Sequence, residues 1–443
     1  MKNSLKPDVI EALAWETGFC KRKSKLKPCL FFESLMFAHH SGKSLSLNDL
    51  CADLMQEHGV GISKQAMDDR FNDRAVLFLQ RILDWLLSAE LKAVNGLMGL
   101  PSRFNRVRLK DSTKFPLPKA FAPKYRGTGG GGNGGSSDNC ESLISIQYEY
   151  DLISGETLDL RLTDGLKNDQ SDSRDFTCDI RKGDLFIRDL GYSTLPYLEK
   201  ISEKGAFFLN RLPAKTLVYS ADNTSKPLDF MSLSEKVRKH GLSHLELDVF
   251  VGKQAMLPCR LIVTPVDEPA YERRIRKATE TAKSHGHKVS KEYRAKSRLN
   301  IFITNVGETE LAAEKIREVY TLRWQVELVF KVWKSQARIN EIREMKMERF
   351  ECQLLSKLIW LLLNWRIFKW VSNEMYMRSR LLCSVWKFYK YATQVSQKVR
   401  MAFKDVSLMQ EILLRALEIA PRQFKLEKKK NKLSQYQTFI HLT

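Results

Sequence analysis

Near residue 102 the hydropathy pattern changes period, and the order of segments that follows leaves few topologies open. "RFNRVRLKDST" alternates, with Val107, Leu109 and Asp111 on one face of a strand and Arg106, Arg108 and Lys110 on the other. "SLISIQYEYDLISGETLDLRLTDG" reads as a strand, a Ser154-Gly155 turn and a second strand. A short polar helix leads to "DLFIRDLGY", a buried strand ending at Asp189, with Gly191 just beyond it for a tight turn or close backbone approach. A helix over "STLPYLEKISEKG" and a strand at "AFFLN" follow. A hairpin-linked set of strands followed by alternating helix and strand specifies an α/β sheet.

That order is the order of an RNase H-like core. The fold class expected is α/β: an RNase H-like catalytic core interrupted by a β-rich insertion, with helical N- and C-terminal regions. The core occupies 101–212 and resumes over 298–350. The insertion spans 213–297, where "SHLELDVFVG" and "LPCRLIVTPV" are strand-like and "YERRIRKATETAKSHGHKVSKEYRAKSR" is basic and partly helical. In the helical region 1–100, Ser46 and Asp49 form a capping-box pattern, and Ser63 caps a second helix after the glycine turn "HGVGIS". Two short helices braced by a third fit a DNA-reading helix-turn-helix or a plain packing unit equally. The helical region 351–443 carries Trp360, Trp365, Trp370 and Trp386, as core or oligomer surface, and a basic tail "KLEKKKNK". The glycine tract after "APKYRG" reads as a flexible loop.

Composition narrows the partner. The 443 residues suffice for two or three domains, and Lys and Arg number 73 against 52 Asp and Glu, a net charge of +21. An excess of that size points to a polyanion, nucleic acid first. The eight cysteines include no C-x-x-C pair, which argues against a zinc finger or a secreted disulfide scaffold. The N-terminus has acids where an export signal needs an apolar run, and "LIWLLLNW" is too short to span a membrane. A cytoplasmic protein with no membrane association is expected. Gly42-Lys43-Ser44 suggests a P-loop, but Phe37 stands where the motif needs glycine, so no ATP binding follows.

Residues 320–334, "YTLRWQVELVFKVWK", hold the densest chemistry. On one continuous helix, Tyr320, Arg323, Glu327 and Lys334 fall within a stripe of roughly 60°, while Leu322, Val326, Val329 and Trp333 face a core. Such a stripe is equally a solvated face with an Arg323–Glu327 ion pair. The presence of Asp111 and Asp189 at strand ends changes the weighing, because adjacent strand ends bring distant carboxylates together. Three clustered carboxylates repel unless a cation lies between them, and hard oxygen ligands select Mg²⁺ or Mn²⁺. Two such ions about 4 Å apart activate water and stabilise the leaving oxygen of a phosphodiester. The cations and the phenol of the stripe would then hold phosphate.

Tyr320, Arg323, Glu327 and Lys334, spaced Y-x2-R-x3-E-x6-K, resemble without a gap the YREK signature of the insertion-sequence-four group of bacterial DDE transposases. "LKDST" at Asp111, "RDLGY" at Asp189 and "ITNV" at 303–306 resemble that group's flanking motifs, and the likeness covers roughly residues 100–345. The resemblance implies that Asp111, Asp189 and Glu327 are catalytic metal ligands, while Tyr320, Arg323 and Lys334 contact DNA phosphates. It implies a transposase that binds terminal inverted repeats in double-stranded DNA, cuts with divalent metal and joins the freed 3′-OH to target DNA, as a homodimer when two ends are synapsed. Some members pass through a hairpin and stack a flipped base on an aromatic of the insertion, yet no tryptophan lies between Asp189 and Arg323 here. A standalone nuclease of this fold and a non-catalytic DNA-binding relative are the alternatives.

Overall fold

The structure is a computed structural model that describes residues 6–22, 24–38, 45–88, 104–128, 141–175, 179–213, 216–254, 256–402 and 405–427. The glycine-rich loop over 129–140, the Gly42-Lys43-Ser44 stretch with His39 and His40, and the tail after 427 lie outside them. No helix among the described residues is long and apolar enough to cross a membrane.

Ten strands among the described residues form one sheet: β1 (Arg106–Pro116), β2 (Leu143–Asp151), β3 (Thr157–Asp164), β4 (Asp184–Arg188), β5 (Phe207–Arg211), β6 (Val218–Ser220), β7 (Asn223–Pro227), β8 (Leu245–Val251), β9 (Leu257–Pro265) and β10 (Leu299–Thr304). Their order is β3-β2-β1-β4-β5-β10-β9-β8-β6-β7. β1, β4 and β5 run parallel, and β2 pairs antiparallel with both β1 and β3. This half carries the RNase H-like order expected. The strands of the insertion extend the same sheet through β10, which pairs antiparallel with β5 and β9, so they do not stand apart as a separate body.

Parallel strands bury both faces. Leu185, Ile187 and Leu209 pack into one core, and Phe186 and Phe208 into the other. The second face also contains a layer of buried ion pairs. Glu149 accepts from Arg108 at 2.8 Å and from Arg188 at 3.0 Å, and Lys110 reaches Asp159 and Asp172. Burial alone would raise Glu149, but Arg188, Arg108 and Lys110 hold it well below the usual carboxylate range. The Arg108 guanidinium lies 4.7 Å from the Phe186 ring centre. The alternate positions of β1 are therefore not solvent-facing; their charges are enclosed and paired.

Between the strands lie α6 (Asp169–Asp175), α7 (Leu195–Glu203), α8 (Phe230–Lys239), α9 (Glu268–Ser284) and α10 (Lys291–Ser297). The N-terminal helices are α1 (Pro7–Glu16), α2 (Pro28–Ala38), α3 (Leu47–His58), α4 (Lys64–Asp68) and α5 (Asp73–Ser88). Ser46 and Asp49 form the expected capping box, and Ser63 accepts from the Ala66 amide at the start of α4. After β10 come α11 (Ala313–Thr321), α12 (Trp324–Gln336), α13 (Met347–Ser379), α14 (Val385–Gln394), α15 (Ser396–Ala402) and α16 (Val406–Gln423). α13 packs along α5, α2 and α16, so both terminal regions close over one face of the sheet. Trp360 and Trp365 are buried in this layer, with Trp365 Nε1 donating to Gly155 O at 2.7 Å. Trp386 is 39% exposed.

The stretch 320–334 is not one helix. It divides between α11 and α12, with Tyr320 in the first and Arg323 at the head of the second. At the junction the amides of Leu322, Arg323 and Gln325 bond three residues back, to Val319, Tyr320 and Leu322, which tightens the turn without breaking the chain's direction.

Candidate active site

Register sets the two aspartates side by side. The parallel ladder of β1 and β4 ends at Lys110 opposite Arg188, so Asp111 and Asp189 are the next residue on each strand. β1 itself continues past Asp111, paired only with β2 on that side, while the chain after Asp189 turns into a short 3-10 segment, Leu190–Tyr192. Asp111 is thus inside a strand at the point where its neighbour ends.

α12 lies across this end of β1 and brings Arg323 and Glu327 to the pair. Arg323 is the hub: its guanidinium nitrogens lie 3.6 Å from Asp111 Oδ2, 3.9 Å from Asp189 Oδ1 and 2.8 Å from Glu327 Oε1. Three carboxylates from separate segments therefore share one cation. Asp111 is the most enclosed, and burial pushes its carboxyl up to about 7, with the charges of Asp169 and Glu327 adding to the rise and the Ser112 amide and Arg323 opposing it. Arg323 is itself buried beneath the acids, with Trp324, 51% exposed, 5.3 Å from its guanidinium.

The four residues of the stripe do not share one surface. Tyr320 is buried against Phe302, with ring centres 5.2 Å apart. Burial, then the nearby charge of Asp189, pushes its phenol up to about 12. Its hydroxyl and Arg323 Nε are buried polar atoms that make no hydrogen bond among the described residues. Lys334, two turns further along α12 on the same face as Glu327, donates to the Lys114 carbonyl at 3.2 Å, and burial lowers its ammonium. Asp111, Glu327, Lys331 and Lys334 line a groove of about 610 Å³ that runs along α12 and also touches Ser112, Thr113, Phe330 and Ser335.

Among the described residues, no three His, Cys, Asp or Glu side chains are arranged to hold a metal ion as they stand. The donor chemistry nevertheless suits one: three hard carboxylates, one of them driven towards its protonated form by burial and, secondarily, by its acidic neighbours, converge on the positive charge of Arg323. Asp169, a fourth acid at this site, was not expected from the sequence. Its place in a short polar helix gives no periodic or spacing signal.

The flanking motifs have structural work as well. Asn305 of "ITNV" accepts from the Phe208 amide at 2.8 Å and donates to Ser202 and the Ala206 carbonyl, tying β10 to the α7–β5 turn.

A model of the transposase DDE domain matches residues 102–363. The transposase for insertion sequence element IS231F of Bacillus thuringiensis subsp. israelensis is 28% identical over 431 residues, 93% of this chain and 87% of that protein. The IS231E transposase of Bacillus thuringiensis subsp. finitimus is 31% identical over 374 residues, covering 80% and 76%. The IS1151 transposase of Clostridium perfringens is 29% identical over 379 residues, covering 82% and 78%.

Proposed function

The chain belongs to the transposase DDE domain family, a family of enzymes that cleave DNA and transfer strands, and from that membership we propose how its own residues divide the work. Asp111, Asp189 and Glu327 are the carboxylates of the reaction. The observation that carries the assignment is their convergence on one guanidinium from a strand interior, a strand end and a separate helix. Charges so placed are costly unless they serve a cation. Divalent ions held by these acids, Mg²⁺ or Mn²⁺ and two in number, would supply Lewis acidity at a phosphodiester and an activated water.

The remaining groups bind the backbone of the DNA. Arg323 Nε and the Tyr320 hydroxyl make no hydrogen bond among the described residues and are suited to donate to a phosphate beside the acids. Lys334 and Lys331 extend positive charge along the groove, where a duplex end would lie. Arg323 then has two settings, one against the acids and one against phosphate. The substrate is double-stranded DNA, at the terminal repeats and at the target, and two ends call for two copies of the chain.

The test is incubation of the full chain with Mg²⁺, a duplex carrying the inverted repeats that flank its coding sequence, and a target plasmid. End cleavage with joining of the freed 3′-OH to the plasmid is expected from the native chain. Asp189→Asn should bind the same duplex and neither cut nor join it. Cleavage without joining would indicate a standalone nuclease, and full activity in Asp189→Asn would remove that residue from the assignment.

A further inference from the structure

Asp169 touches both segments that carry the paired aspartates, and the mechanism above leaves it without a role. Its Oδ1 accepts from Ser112 Oγ at 3.0 Å, and the Ser112 amide in turn donates to Asp111 Oδ1 at 2.8 Å. Its Oδ2 occupies the space beside Gly191, 2.8 Å from where a Cβ on that glycine would stand. Gly191 is not in the left-handed region, so what this position requires is room for a carboxylate and not unusual backbone freedom. Tyr192, the next residue, is fully buried, donates to Gln147 Oε1 at 2.8 Å, and lies near enough for the Asp169 charge to act on its phenol.

A simpler role, capping its own helix, is already filled. Asn168 Oδ1 accepts from the Ser171 amide at 2.8 Å, which leaves the Asp169 carboxylate directed at Ser112 and Gly191. The sheet cannot do the same work, because the β1–β4 ladder stops one residue before each aspartate. Besides the pairing of its carboxylate with Arg323 at 3.9 Å, Asp189 is held at its backbone, its carbonyl accepting from the Tyr192 amide at 3.0 Å and from Ser193 Oγ at 3.2 Å. Carboxylates that share a metal must keep their geometry within about 0.5 Å.

We propose that Asp169 is a positioning residue that fixes the distance between Asp111 and Asp189, bonded to Ser112 on one side and wedged against Gly191 on the other. The inference rests on the assignment of those two acids as metal ligands. It also gives the glycine of "RDLGY" and the serine of "LKDST" a shared purpose: one makes room for the wedge and the other holds it.

The test uses the full chain and two readouts: Mn²⁺ binding, followed by loss of the free-ion paramagnetic resonance signal, and nicking of the terminal-repeat duplex. Asp169→Ala and Gly191→Ala should each lower nicking by about tenfold to a hundredfold, in line with a misplacement near 1 Å, and weaken Mn²⁺ binding while end-DNA binding stays within about twofold. Ser112→Ala, which removes one hydrogen bond without opening a cavity, should shift both readouts in the same direction by less. Asp169→Asn keeps both the acceptor and the volume and should restore both. Native nicking and Mn²⁺ binding in Asp169→Ala, or in Ser112→Ala should the former not fold, would overturn the proposal. So would an Asn variant as defective as the Ala variant, since charge and not position would then matter. A native chain that binds no Mn²⁺ would instead overturn the assignment of Asp111 and Asp189.

Discussion

Arg323 stands where opposite demands meet. It pairs with three acids, two of which, Asp189 and Glu327, remain substantially exposed to solvent. Screening reduces the worth of such pairs, so Arg323→Ala should cost about 1–3 kcal/mol, less than the loss of a fully buried partner. The same change leaves the acids with no cation but a divalent one. Thermal melts with and without Mg²⁺ should therefore show a larger metal-induced gain in Arg323→Ala than in the native chain. An equal gain would mean that Arg323 and the metal do not compete for the same carboxylates. Part of this was legible beforehand: the Arg323–Glu327 spacing gave the pair and a strand end gave Asp189, whereas Asp111, read as a strand end, lies inside β1, which continues to Pro116 through its pairing with β2. The separation of Tyr320 from Arg323 was not legible, because "YTLRW" contains neither glycine nor proline and the helix changes by hydrogen bonds that shorten by one residue.

Elements explain why β1 misleads a reader of sequence. Its alternation of Arg106, Arg108 and Lys110 with Val107 and Leu109 reads as one wet face and one dry. The wet face is instead covered, and the charges survive there because Glu149, Asp159 and Asp184 come from other strands and Asp172 from α6 to meet them. Pairings of that range leave no local trace. Lys369 of α13 is a second buried charge, its side chain packed over Gly155 at the β2–β3 turn. Burial pushes its ammonium down to about 7, with Asp151 opposing. A folded value below the ordinary one of about 10.4 means that the unfolded chain binds more protons between those limits. Stability should accordingly rise as pH increases from about 7 towards 10, by at most about 1.4 kcal/mol per unit from this group, and the rise should be smaller in Lys369→Met. Parallel stability curves for the two chains would show that Lys369 keeps its charge on folding.

At the scale of the whole molecule, a net charge of +21 and a groove edged by lysines describe an enzyme built to lie on a polyanion. The charge was visible from composition and Lys334 from its motif, but the place of Lys331 beside it in the groove was not. Lys334→Ala should weaken binding to the terminal duplex and reduce the slope of log affinity against log salt by about one unit, the release expected for one phosphate contact. An unaltered slope would return Lys334 to its bond with the Lys114 carbonyl. The sheet ties these parts together: β1 and β4 set two acids, α12 brings the third, and the terminal helices share one core with α12. The most direct test of the central claim is anomalous scattering from crystals of the full chain soaked in Mn²⁺. Density for Mn²⁺ in contact with Asp111, Asp189 and Glu327, with Arg323 withdrawn from them, is the result predicted. Mn²⁺ bound elsewhere, with Arg323 still bridging the three carboxylates, would contradict it.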